Sequence, residues 1–408
     1  MIVQNGKNRR LGVVIVGLGG AVATTAVAGI ELLRMGRVGR QGLPLASLDE
    51  TLTEPLAEYT DLVFGGWDFC DDDLAQAAQT HNVLDAEQFA AVAPALAQKI
   101  PWPAVGNERF CRNVSGSHLI KAGSHEEAIE VIRRDLRTFR ATDSLAGLVV
   151  VNLASTEASF DPHLPVFADL EHFREGLAQN DAAIGPAMLY AYAAIAEGVP
   201  YANFTPSVAA DVPALIQFAE QEGVPVAGKD GKTGQTFIKT VLAPGLHARA
   251  LEIEGWFSTN ILGNRDGVAL RDKDSLASKI GTKGSVLDQI LGYKVEDHVV
   301  NIEYYKPRGD NKEAWDSIDL IGFLGQKMQL KVNFLCRDSI LAAPLVVELA
   351  RLLDLASQKG EGGVQEHLGV FFKSPMMADP EAQPEHALHR QQEALVAWLE
   401  EHSNVPAA

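Results

Sequence analysis

VVIVGLGGAVATT, residues 13–25, runs from a β-branched stretch (13–16) through a glycine-rich turn (Gly17, Gly19, Gly20) into a segment of helical composition, 21–35. A short apolar run that stops at glycines reads as a buried parallel strand. Strand, glycine turn and helix in that order make a dinucleotide loop. The glycines allow a tight turn and close approach of a pyrophosphate, and the helix amino end offers N–H groups and partial positive charge. The acid expected about 20 residues further on, to hold a ribose, is missing, because residues 35–47 contain no Asp or Glu. The next candidate is Asp68 in GGWD (65–68), which equally suits a helix cap ahead of DDDLAQAA.

Outward from this stretch, strands alternate with helices. DLVF (61–64) reads as a strand ending at Gly65 and Gly66, 126–140 as a helix, and GLVVVNL (147–153) as a third buried strand. Residues 187–197 read as a packed helix ending at Gly198, and 224–227 as a strand entering a Gly- and Lys-containing loop. This alternation predicts an α/β layer around a mostly parallel sheet. Near residue 237 the texture changes. Residues 256–260, 299–305 and 327–334 look like longer strands of a more open, partly antiparallel sheet. Helical composition returns at 342–355 and 385–401. The expected organisation is a nucleotide-binding unit at 1–236, a central unit at 237–340, and a segment at 341–408 that returns to the first unit.

Composition narrows the function. The chain has 408 residues, 47% hydrophobic and 22% charged, with a formal net charge of −18. At this length two structural units are expected rather than one. The acidic balance argues against nucleic-acid binding, which needs surplus Lys and Arg. The three cysteines, Cys70, Cys111 and Cys336, are far apart and form neither a zinc-type pair nor a disulfide framework, so a reducing, cytoplasmic setting is expected. Residues 11–30 superficially resemble a signal peptide or membrane span. Five interrupting glycines and the polar continuation ELLRMGR argue against both, and no other stretch is long and apolar enough to span a bilayer.

The cations are unevenly spread. Eleven of the sixteen lysines fall within residues 229–331. An acidic protein that gathers its ammonium groups in one quarter of its length is expected to face an anionic small molecule there; a mixed-charge solvated surface is the plainer alternative. The lysines lie in GKDGKTGQ (228–235), SKIGTKG (278–284), KPRGDNK (306–312) and FFKSP (371–375). Lys279 and Lys283 are spaced i and i+4 and would share one face of a helix. Two phenylalanines beside Lys373 suggest an apolar setting, where a lysine becomes a usable acid or base.

On these motifs the chain resembles the myo-inositol-1-phosphate synthase family over residues 11–380. G-x-G-G matches 17–20, and GGWD matches 65–68. D-x-K-[ST]-G-Q-T matches 230–236, and N-x-L-G-N-x-D-G matches 260–267. S-K-x-x-x-K-x-x-V-x-D matches 278–288, K-P-x-G-D-x-K matches 306–312, D-S-[IL]-L-A-x-P-L matches 338–345, and aromatic-K-[AS]-P matches 372–375. The chain departs from the family pattern at Ala21, Val22 and Ala23, which stand where Asn, Asn and Gly are usual. It departs again in 151–157, in 203–207 and at Arg265.

The resemblance implies a discontinuous, Rossmann-like NAD-binding domain. With it comes a central α+β domain whose open sheet serves catalysis and oligomerisation as a homotetramer. It implies isomerising cyclisation of D-glucose 6-phosphate to a myo-inositol monophosphate. Bound NAD oxidises C5, C6 is deprotonated and attacks the C1 aldehyde, and the ring ketone is reduced again. Such chemistry needs a base, preorganised cations for developing anions, and donors for the phosphate. The implied catalytic residues are Lys279, Lys283, Lys312, Lys373, Asp230 and Asp338. Lys279 and Lys373 serve the C5 oxygen, oriented by Asp230 and Asp338, while Lys283 and Lys312 face the phosphate and the C1 oxygen. NAD contacts are implied at Gly17, Gly19, Gly20, Ala21, Asp68, Ser155 and Asp230. Lys232, Asn260, Asn264 and Asp266 are implied on the substrate side. Asp266, with the two asparagines, also offers hard oxygen ligands for a mono- or divalent cation. The alternative is an NAD-dependent oxidoreductase or cyclase acting on a different sugar phosphate.

Overall fold

A computed structural model describes residues 9–112, 114, 116–158, 160–263, 286–379 and 382–403. Its larger sheet has seven parallel strands: β1 (Leu11–Val16), β2 (Leu62–Asp68), β3 (Trp102–Pro103), β4 (Gly147–Asn152), β5 (Tyr201–Asn203), β6 (Pro225–Gly228) and β11 (Gly363–Val364), in the order β11-β6-β5-β4-β1-β2-β3. The chain winds outward from β1 to β3 and then resumes at β4 on the other side of β1. The switch point therefore lies between β1 and β4, where such sheets open a crevice at their carboxyl ends.

Every residue of β1 is buried, because helices cover both faces. Val13 and Ile15 pack toward the helices Ala21–Arg34 and Asp338–Lys359. Val14 and Val16 pack toward His125–Thr142, Pro186–Ala196 and Pro213–Glu222. The helix Asp338–Lys359 thus belongs to the core of the first sheet, and β11 extends that sheet's edge.

A second sheet of four strands has the order β10-β9-β7-β8, with β7 (Glu252–Leu262), β8 (Asp297–Tyr304), β9 (Asn311–Ile321) and β10 (Lys327–Arg337). β7 and β8 are parallel; the other pairs are antiparallel. The helix Gly234–Ala248, entered directly from β6, packs on β7 and β9 through a small core that includes Ala243, Ile253, Trp256 and Ile318.

Three local readings are corrected. The strand expected to end at residue 64 runs on to Asp68. Gly66 allows this: its φ is +150°, and a Cβ there would lie 2.0 Å from the Ile15 carbonyl oxygen of the neighbouring strand. The central strand β9 went unread, because its buried face carries Lys312 and Asp316 among Ala314, Ile318 and Leu320, which hides the alternation. The helix expected at 342–355 begins four residues earlier, at Asp338.

Candidate active site

A cavity of about 260 Å3 opens at the carboxyl ends of the parallel strands. Each strand from β1 to β6 sends its following residues into the wall: Gly17, Gly20 and Ala21 after β1, the end of β2 with Asp68, Ala104 after β3, Ser155 after β4, Thr205 after β5, and Asp230 after β6. Lys312, Asp338, Ser339 and Lys373 complete the far end. One continuous space therefore joins the glycine loop to a cluster of lysines and aspartates.

The glycine loop is tightly fixed. Gly17 has φ +88°, and a Cβ there would meet the Ala154 backbone at 3.1 Å. Its N–H donates to the Trp67 carbonyl at 2.8 Å. Gly19 N–H donates to Asp68 Oδ2 at 2.8 Å, and Cys70 N–H to Asp68 Oδ1 at 3.0 Å, so the carboxylate ties the tip of β2 to the loop. The helix Ala21–Arg34 starts at Gly20 without a side-chain cap. Its first turn faces the cavity through Ala21, Val22 and Ala23 with small or apolar side chains only. Backbone donors at a helix amino end fit a pyrophosphate, and the carboxylate at the end of β2 fits a ribose. These residues fit a bound NAD.

At the other end, Lys373 Nζ donates to Asp230 Oδ1 at 2.7 Å, with both side chains buried. Asp230 has φ +60°, a left-handed conformation uncommon for a residue with a side chain. Its N–H donates to the Thr205 carbonyl at 3.0 Å, and its own carbonyl accepts from Lys373 N–H at 2.7 Å. The two catalytic candidates are thus fastened through backbone as well as side chain. Asp230 Oδ2 is buried with no hydrogen-bond partner among the described residues. A second pair stands beside the first. Lys312 Nζ lies 3.4 Å from Asp338 Oδ1, and that oxygen also accepts from Thr233 Oγ at 3.0 Å. Thr233 precedes the helix Gly234–Ala248, which also lacks a side-chain cap, and a Cβ on Gly234 would lie 3.3 Å from Lys312 Nζ. An ammonium beside an uncapped helix start suits an anion such as a phosphate.

Not every expected residue reaches the cavity. Lys232 and Asn260 are buried and do not line it. The Lys232 ammonium is bonded to Gln391 Oε1 on the C-terminal helix Leu388–His402, and burial lowers its pKa to about 7. Asn260 Nδ2 donates to Gln235 Oε1 at 2.6 Å. Lys279, Lys283, Asn264 and Asp266 lie outside the described residues. Sequence reasoning passed over Thr233, Ser339 and Glu157. Thr233 and Ser339 each sit next to a selected aspartate or lysine motif, which was the available signal. Glu157 ends the partly matching segment 151–157. It lines the cavity, accepts from Ala187 N–H at 2.9 Å, and is pushed up to about pKa 8 by burial. Among the described residues, the group with metal-like spacing is Cys70, Asp71 and Asp72, and none of the three lines the cavity. No helix among the described residues is long and apolar enough to cross a membrane.

Residues 46–400 match the family model for myo-inositol-1-phosphate synthase. Inositol-3-phosphate synthase 1 of Bacteroides thetaiotaomicron is 42% identical over 402 residues, covering 94% of this chain and 93% of that protein. Inositol-3-phosphate synthase isozyme 1 of Arabidopsis thaliana is 30% identical, covering 90% and 81%. Among solved structures, inositol-3-phosphate synthase from Caenorhabditis elegans superposes with a TM-score of 0.90 at 28% identity, covering 98% of this chain and 90% of that one. A myo-inositol-1-phosphate synthase-related protein from Thermotoga maritima gives 0.80 at 26% identity, covering 96% and 99%. On the sequence matches and the shared fold alike, the chain belongs to the myo-inositol-1-phosphate synthase family.

Proposed function

We propose that this protein converts D-glucose 6-phosphate to a myo-inositol monophosphate by internal oxidation, enolisation, ring closure and reduction. The observation that carries the reading is the one cavity that joins a dinucleotide loop to a buried Lys373–Asp230 pair and a part-buried Lys312–Asp338 pair. NAD, held at Gly17, Gly20, Ala21 and Asp68, would supply a reversible hydride acceptor for C5. The chain's own residues do the rest. Lys373 holds the C5 oxygen and moves its proton, with Asp230 fixing the ammonium. Lys312, the Thr233 hydroxyl and the uncapped start of the helix Gly234–Ala248 receive the phosphate and the C1 oxygen, with Asp338 orienting both side chains. Lys279 joins Lys373 and Lys283 joins Lys312, on the strength of their sequence motifs. Apolar side chains such as Val16, Val105 and Phe204 line the same cavity, and a less polar surround strengthens each cationic contact. A cation bound by Asp266, Asn264 and Asn260 is part of the reading, supported by Asn260 Oδ1, a buried oxygen with no partner among the described residues.

We further propose a cytoplasmic homotetramer. The free thiols Cys70, Cys111 and Cys336 support a reducing setting. The outer face of the four-stranded sheet exposes Phe257, Val299, Trp315 and Leu335, with the Phe257 and Trp315 rings 5.9 Å apart. β8 and β10 each pair on one side only among the described residues, which leaves two strand edges for another copy.

The test is to incubate purified protein with glucose 6-phosphate and a catalytic amount of NAD and to identify the product by phosphorus and carbon NMR. Inositol phosphate without net NADH supports the reading. NADH in stoichiometric amounts, or no cyclic product, overturns it.

A further inference from the structure

Behind the phosphate end of the cavity lies a buried network of side chains in which only Asn260 has a role above. Asp316 sits on the helix-covered face of β9, two positions along the same face from Ala314 and four from Lys312. Its Oδ1 accepts three hydrogen bonds from two other elements. Gln235 Nε2 donates from the helix Gly234–Ala248 at 2.9 Å, and Trp256 Nε1 and Ser258 Oγ donate from β7 at 2.7 and 2.6 Å. Gln235 is held at its other end as well, because its Oε1 accepts from Asn260 Nδ2 at 2.6 Å. The amide therefore has one orientation, and Gln235 is the second residue of its helix. One turn later, on the same helix face, the Lys239 ammonium is buried 2.6 Å from His298 Nε2 and 5.6 Å from the centre of the Trp256 ring. Burial lowers the Lys239 pKa to about 8, and the charge of Asp316 acts against that shift.

We infer that Asp316 is a positioning residue for the substrate's phosphate. Through the Gln235 amide it locks the first turn of the helix Gly234–Ala248 onto the strand that carries Lys312. The helix start and the Lys312 ammonium come from different elements, yet a phosphate must meet both at once. Asp338 bridges Thr233 and Lys312 at their tips, and the Asp316–Gln235 bond ties the helix directly to the strand itself. Trp256 and Ser258 use the same oxygen but tie β7 to β9, away from the helix start. The inference rests on the proposed phosphate position.

The test compares Asp316→Leu, Asp316→Asn and Trp256→Phe, reading KM and kcat with glucose 6-phosphate, inhibition by inorganic phosphate, and the Kd for NAD. Asp316→Leu removes all three bonds; losing the one to Gln235, with that amide left unpaired, is expected to raise KM and the phosphate inhibition constant about tenfold or more, while the Kd for NAD stays within about twofold. Asp316→Asn keeps the accepting oxygen and is expected to restore both constants to within a few-fold. Trp256→Phe is expected to lower the melting temperature and leave both constants unchanged. If Asp316→Leu does not fold, Gln235→Met removes the same link while leaving the carboxylate with Trp256 and Ser258, and the same rise is expected. Unchanged constants in a folded Asp316→Leu or Gln235→Met overturn the inference, as does an equal rise in Trp256→Phe. A wild-type protein that makes no inositol phosphate overturns the function instead, whatever the variants show.

Discussion

Lys373 and Asp230 meet at 2.7 Å with side chains only 6% and 5% exposed. A buried ion pair is costly to desolvate, and replacing one by apolar groups of similar shape often leaves a protein as stable or more so. Its retention here therefore argues for chemistry. Lys373→Met is expected to cut turnover by about 10²–10⁴-fold, the range for a positioned proton-transfer group, while the Kd for NAD changes little. Turnover and titration calorimetry on the folded variant check this; wild-type turnover would remove the proposed role. At this scale the motif matches picked out Asp230, Lys312, Asp338 and Lys373, and the fold brings these four to one cavity. The sequence was not readable at Lys232. That lysine shares the Asp230 loop, but an irregular loop has no period from which a side-chain direction follows, and its ammonium went to Gln391.

The elements were legible where burial imposes a simple pattern. Continuous apolar runs gave β1 and β4, because helices cover both faces of the parallel sheet. β9 stayed hidden because a lysine and an aspartate stand on its inner face. The fastening of the C-terminal helix to the Asp230 loop by Lys232 also has a thermodynamic signature. The folded-state pKa of Lys232, about 7, lies below that of an exposed lysine. Between these two values the unfolded chain binds the extra proton, so stability should rise with pH from about 7 to about 10. Denaturant unfolding across that window should show a steeper rise for the wild type than for Lys232→Met. Equal slopes would mean that the amine is solvated.

In the whole molecule, a chain of net charge −18 gathers eleven of its sixteen lysines in residues 229–331. Lys312 from that window joins Lys373 from the C-terminal segment around one cavity. This convergence could be suspected from the charge distribution but not located, because it depends on the last segment folding back onto the first sheet. The proposed homotetramer belongs to this scale too. Phe257→Glu combined with Trp315→Glu should lower the mass measured by light scattering from four chains toward one or two. An unchanged mass would put the subunit contacts elsewhere.

In the proposed reaction, oxidation, ring closure and reduction occur in one cavity without loss of the hydride. Glucose 6-phosphate carrying deuterium at C5 tests it most directly, with the inositol phosphate analysed by NMR and mass spectrometry. Full retention of the label at the corresponding ring carbon, with unlabelled NAD present in catalytic amount, is the expected result. Label washed into water, or trapped in released NADH, would contradict it.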